Sequence, residues 1–220
     1  YGGFQKAEIG LRKTLRSIER LNNISPDKIS ADSYGYTDEL DEIKTALLYK
    51  HEIINKFVNS AESEKLYRHI EDALPGLLGS SKEFINFGAC YAHIDSLLAS
   101  RFPGVQFFGV DRSRITKVLN ESDFGHIPNL SFIADDILKF LSLSLFKKGI
   151  LFHTRTCCLL PKYFVEKLYQ TASESGCSTV VCMEQIGISR QTGKPYDFSN
   201  SDQPSVAYRR GMLIHNYPGI

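Results

Sequence analysis

The run Phe84-Ile85-Asn86-Phe87-Gly88-Ala89-Cys90-Tyr91-Ala92 decides the fold of this chain. Its first four residues are a short, nearly continuous apolar stretch, and it then turns abruptly at a glycine and small residues. That is the pattern of a strand buried on both faces, as in a parallel sheet. Small residues just after such a strand let backbone approach a ligand closely. The next helix begins at His93, so its N-terminal amides can face a polar or anionic group.

Working outward, the same punctuation recurs. Strands are expected over 84–88, 105–110, 130–134, 149–153 and 178–183, and helices over 93–102, 113–120, 137–145 and 161–174. Pro161 sits at a helix start, where its missing N–H costs nothing, and Ser175-Gly176 ends that helix. Strands alternating with helices predict a Rossmann-like, doubly wound, mostly parallel α/β sheet joined by right-handed crossovers. Residues 185–220 read as irregular and polar.

Residues 1–80 carry a different period and read as an N-terminal helical appendage, with 81–220 as the α/β domain. Helices are expected over 4–21, 37–58 and 63–73, the last stopped by Pro75-Gly76. Their apolar stripes need covering. They are expected to cap the cleft or to build a homodimer.

The 220 residues carry a net charge of +1 and no Lys/Arg block, so a nucleic-acid partner is not expected. No apolar run reaches the roughly 18–20 residues of a membrane helix, so no membrane partner is expected either. No signal peptide opens the chain, and Cys90, Cys157, Cys158, Cys177 and Cys182 show no disulfide or zinc spacing. They read as reduced, packed cysteines of a cytoplasmic protein. The chain opens on Tyr1 and stops at Ile220 as if entering another element, so further sequence is expected.

In a doubly wound sheet, ligands bind outside the carboxyl ends of the strands. Gly88, Ala89 and Cys90 follow the first strand, Asp111 and Arg112 end the second, and Asp135-Asp136 follow the third. The separation of Gly88 and Asp111 is close to the roughly 20 residues expected for an acid that takes both hydroxyls of a ribose. One of Asp135 and Asp136 should cap the helix that starts at Ile137, leaving the other for a ligand.

These three runs together resemble motifs I, II and III of class I S-adenosylmethionine-dependent methyltransferases, from the first strand through the fifth. The tail run His215-Asn216-Tyr217-Pro218 loosely resembles the sugar O-methyltransferase subgroup. The resemblance implies S-adenosylmethionine as cofactor, held by Asn86, Gly88, Ala89, Cys90, Asp111, Arg112, Asp135, Asp136 and His153. It implies an acceptor near the fourth strand, with His153 and His215 as candidate catalytic bases and Arg155, Glu184, Tyr208 and Arg209 as substrate contacts. The chain departs from motif I twice. Asn86 stands where the family carries an acid, and Cys90 and Ala92 stand where it carries glycines.

The implied function is methyl transfer to a small molecule, at oxygen of a sugar or natural-product precursor. The rival is a non-catalytic methyltransferase-like scaffold, for which the altered first loop speaks. A dinucleotide oxidoreductase fits less well, because the first loop lacks G-x-G-x-x-G. No metal is expected: there is no helical His pair or compact acidic loop. Glu184, Asp136 and His153 are the residues that would converge on one.

Overall fold

The computed structural model describes residues 39–54, 61–184, 205–207 and 213–215. The expected helix over 4–21, and Tyr208 and Arg209, lie outside the described residues. The described chain falls into two compact units, one containing 39–54, 61–153 and 170–182, the other 154–169, 183–184, 205–207 and 213–215. Helices α1 and α2 therefore belong to the same unit as the sheet.

The first unit is built on a five-stranded sheet in the order β3-β2-β1-β4-β5. The strands are β1 (Glu83–Phe87), β2 (Gln106–Asp111), β3 (Leu130–Ala134), β4 (Gly149–Thr154) and β5 (Cys177–Met183). The β1–β2, β1–β4 and β2–β3 ladders are parallel. This order is that of a Rossmann-like α/β fold. Helices α3 (His93–Arg101), α4 (Arg114–Phe124) and α5 (Ile137–Ser142) connect the strands, and α6 (Lys162–Glu174) leads into β5. No helix among the described residues is long and apolar enough to cross a membrane.

The apolar runs form strands because both of their faces are covered. Phe84, Ile85, Phe107, Ile150, Leu151 and Phe152 are at most 1% exposed. Phe84 stacks on Phe152 at 5.3 Å and meets its register partner Phe107 at 5.1 Å. Burying one such ring stabilises by about 1.5–3 kcal/mol. Phe108, the next residue along β2, points to the opposite face. There it meets Phe140 and Phe146 at 5.8 and 6.1 Å.

Gly176 turns the chain into β5 with φ +96°; a Cβ there would lie 2.1 Å from the Phe146 carbonyl oxygen. No side chain fits that gap, so only glycine serves.

Several expected boundaries move. Helix α1 spans Glu39–Ile53 and α4 runs on to Phe124, while α5 stops at Ser142. Helix α2 spans Ala61–Leu78 with Pro75 inside it, so the expected stop before Pro75 is corrected. A proline inside a helix removes the bond from its own nitrogen and crowds the carbonyl four residues earlier. Burial of Leu74 and Leu78, at 1% and 8% exposed, holds the last turn in place around it.

In the second unit, Cys157–Leu159 form a 3-10 turn, and β6 (Ser205–Ala207) pairs antiparallel with β7 (Leu213–His215). The tail expected to be irregular thus contains a small ladder. Its strands are three residues each, too short to show a period of two in the sequence.

Candidate functional site

The strand order reverses at β1, whose neighbours are β2 on one side and β4 on the other. The crevice at the carboxyl end of such a point is where ligands bind in open α/β sheets. Loop 88–92 lies there. Gly88 has φ +73°, and Cys90 has φ +47°, a left-handed backbone that a side chain rarely adopts. Gly88 N and Ala89 N both donate to the Val110 carbonyl, at 2.9 and 3.3 Å, which draws the loop over the end of β2.

Asp111 locks this arrangement. Its Oδ2 accepts from Cys90 N at 3.1 Å and its Oδ1 from Ser113 N at 2.9 Å. One half-buried carboxylate thus joins the loop after β1 to the turn after β2. Burial pushes the pKa of its carboxyl up, against the lowering effect of the Ser113 and Cys90 amides. The Cys90 thiol is pushed up as well, first by burial and then by the Asp111 charge. Arg112 follows, half-buried.

Asn120 was not singled out in the sequence, yet it holds the same loop from α4. Its Oδ1 accepts from Ala92 N at 3.1 Å and its Nδ2 donates to the Cys90 carbonyl at 2.8 Å. The side chain is 2% exposed. An asparagine inside a helix is a weak helix former, and that was the one signal available. Glu42 was also missed. From α1 it accepts from Ser113 Oγ at 2.8 Å and from Ile115 N at 3.2 Å. Ser113 itself caps α4 by accepting from Thr116 N at 2.9 Å.

A third contact fixes α1 to the loop. Lys50 Nζ meets Asp123 Oδ2 at 2.5 Å, Tyr91 Oη donates to the same oxygen at 2.8 Å, and Lys50 lies 5.3 Å from the Tyr91 ring centre. The Lys50 hydrogen bond, helped by the one from Tyr91, holds the Asp123 carboxyl below its usual range. Burial, then the bond to Asp123, raises the Tyr91 hydroxyl to about 12. Beneath the loop, Asn86 Nδ2 donates to Asp95 Oδ2 at 2.8 Å, with both side chains buried.

At the end of β3, Asp136 is the helix cap. Its Oδ1 accepts from Leu138 N at 2.9 Å and Lys139 N at 3.2 Å. Asp135 accepts from Asp136 N at 2.8 Å and pairs with Lys139 Nζ at 2.7 Å. That pairing holds its carboxyl below the usual range. Of the two, Asp135 is the residue not committed to the cap.

His153 lies at the carboxyl end of β4, in register with Phe87 of β1, and is 0% exposed. In the second unit, Glu184 sits over the start of the 3-10 turn. Its Oε1 accepts from Thr156 N at 3.1 Å and Cys157 N at 3.0 Å, and its Oε2 from Cys158 N at 3.4 Å. This is a capping arrangement for a residue expected to contact substrate. Arg155 is exposed, with φ +55°. His215 ends β7 opposite Ser205.

No protein-family model matches the chain. No curated protein matches it either. Among solved structures it is similar to the N-methyltransferase NodS from Bradyrhizobium japonicum WM9 in complex with S-adenosyl-L-homocysteine. That match has 16% identity and a TM-score of 0.42, over 60% of this chain and 65% of that one. It is similar to human N-acetylserotonin methyltransferase in complex with S-adenosylmethionine, at 13% identity and a TM-score of 0.49, over 73% of this chain and 42% of that one. The N-terminal domain of EvdMO1 with S-adenosyl-L-homocysteine bound is matched at 14% identity and a TM-score of 0.44, over 67% of this chain and 65% of that domain. The chain thus spans less than two thirds of each of these structures. The Rossmann-like α/β sheet rests on the chain's own strand order, β3-β2-β1-β4-β5.

Proposed function

We propose that this chain is an S-adenosylmethionine-dependent methyltransferase acting on a small molecule, with an oxygen of a sugar or natural-product precursor as acceptor. The observation that carries the reading is Asp111. A carboxylate stands at the carboxyl end of β2, tied to loop 88–92, at the point where the strand order reverses. The residues fit the cofactor. Gly88 and Ala89 keep the loop backbone free of bulk, and Asp111 has further lone pairs with which to accept ribose hydroxyls. Asp135 would take the adenine amino group in exchange for its Lys139 partner.

The cofactor would supply an electrophilic methyl on a sulfonium. The rest falls to alignment, which contributes about 7–11 kcal/mol at best, and to removal of the acceptor proton. A base must come within hydrogen-bond reach of that hydroxyl. His153, being fully buried, serves an acceptor that is itself enclosed at the end of β4. His215 stays as the second proposed base, and Arg155, Glu184, Tyr208 and Arg209 stay as proposed substrate contacts.

A non-catalytic scaffold is the second reading. What favours it is Cys90, a non-glycine residue in a left-handed backbone with its thiol within reach of the Asp111 charge.

Isothermal titration of S-adenosylhomocysteine into wild type and Asp111→Ala separates the two readings. We expect micromolar binding by wild type and at least a tenfold loss in the variant, which is about 1.4 kcal/mol. Absence of binding to folded wild type at millimolar ligand would overturn the cofactor assignment and favour the scaffold.

A further inference from the structure

Asn86 and Asp95 meet beneath loop 88–92, at 4% and 1% exposure. The 2.8 Å bond from Asn86 Nδ2 to Asp95 Oδ2 joins them. Each partner then keeps one buried oxygen with no hydrogen-bond partner, Asn86 Oδ1 and Asp95 Oδ1. Two orphan acceptors on the two partners of one bond are costly if Asp95 is ionised, because both lack a donor. A single proton removes both deficits.

We propose that Asp95 is a carboxylic acid in the folded protein. Asn86 Nδ2 donates to its Oδ2, its own Oδ1–H donates to Asn86 Oδ1, and this two-bond pair is the positioning element of loop 88–92. The pair fastens the carboxyl end of β1 to the first turn of α3, the two anchors of that loop. It also accounts for Asn86. An acid at both 86 and 95 would place two carboxyls in one dry site, whereas an amide and an acid complement each other bond for bond.

Burial, opposed by the bond from Asn86 and by the Asp95 backbone amide, raises the Asp95 carboxyl from 3.8 to about 7. Of the titratable groups nearby, Cys90 on the loop feels its charge, and His93 precedes it by two residues on α3. Arg101, at the far end of α3, is paired with Glu71. Asp95 is among the charges that raise the Cys90 thiol. The sign follows from linkage. Between 3.8 and about 7 the unfolded chain has released this proton and the folded one has not. Stability from this group therefore falls as pH rises through that window and is level above it.

The carboxyl resonance of Asp95, followed by carbon NMR in wild type and identified by its loss in Asp95→Asn, tests the proton directly. We expect a midpoint near neutrality; titration in the ordinary aspartate range would overturn the proposal. Amide exchange of loop 88–92, compared between wild type and Asp95→Asn at the same pH, tests positioning. The amide variant keeps both bonds and carries no charge. We expect equal protection near about pH 5.5 and several-fold faster exchange in wild type near about pH 8.5. Equal exchange at both would overturn the positioning role. Neither readout needs a ligand. Only a third arm rests on the proposed cofactor. S-adenosylhomocysteine should bind wild type more weakly as pH rises and Asp95→Asn evenly. An even response in wild type counts against the role, whereas no binding by either protein counts against the cofactor reading alone.

Discussion

The cysteines show how one residue type acquires different chemistry from its place in the fold. Nucleophilicity belongs to the thiolate, and burial in apolar surroundings suppresses it. Burial, followed by the Glu184 charge, raises the Cys158 thiol to about 12. Burial likewise raises Cys177 to about 11, with the Glu83 charge adding to it and the bond to Ser175 opposing it. Cys90 is pushed up further still, and Cys157 is fully buried. Cys182 is exposed on β5. Labelling with a disulfide reagent near pH 8 should show one fast thiol, lost in Cys182→Ser, with the other four released only on denaturation. A second fast thiol that disappears in Cys90→Ser would mean that loop 88–92 opens. The sequence reading of packed cysteines fits Cys157, Cys158 and Cys177, which are buried, while Cys90 is half-buried. It could not single out Cys182, because alternate residues of an edge strand face different surroundings.

At the scale of elements, β1 and β4 were legible because burial on both faces leaves a dense apolar run, as in the Phe84–Phe87 stretch of β1. The bonds that shape the site were not legible. Asn120 acts on Cys90 and Ala92 from a helix 28 to 30 residues away, and Glu42 reaches Ser113 across 71 residues. Local pattern holds no record of such partners. Asp95 reads in the sequence as an ordinary acid favoured by a helix N-terminus; only the fold brings Asn86 against it.

The pair Asp135-Asp136 sits between these cases. Its cap was expected, and the geometry decides which residue provides it. Asp136→Ala should cost about 0.5–2 kcal/mol, the usual loss for a helix cap. Asp135→Ala removes a largely exposed ion pair and should cost less than about 1 kcal/mol. Urea denaturation of the two variants checks the order. Equal losses, or a larger one at Asp135, would mean that Asp136 does not hold α5.

At the scale of the whole molecule, sheet order matters more than any single loop. Loop 88–92 and Asp111 come from separate stretches of chain, and they meet because β1 and β2 are neighbours in a parallel ladder. The N-terminal helices were read as an appendage. Yet α1 falls in the same unit as the sheet and bonds to α4 and to Tyr91 through Glu42, Lys50 and Asp123. A ligand bound at the β1–β2 strand ends should therefore stabilise the unit as a whole. A ligand present at a hundred times its dissociation constant adds about 2.7 kcal/mol. For a chain of this size that corresponds to a rise in Tm of roughly 5–11 °C. Saturating S-adenosylhomocysteine should produce such a rise in wild type and little in Asp111→Ala. A Lys50→Met variant should keep most of the rise but start from a lower Tm, because among the described residues Lys50 reaches the loop through Tyr91 and Asp123. If Lys50→Met instead abolishes the rise while its starting Tm stays unchanged, then α1 takes part in binding and does not merely brace the loop.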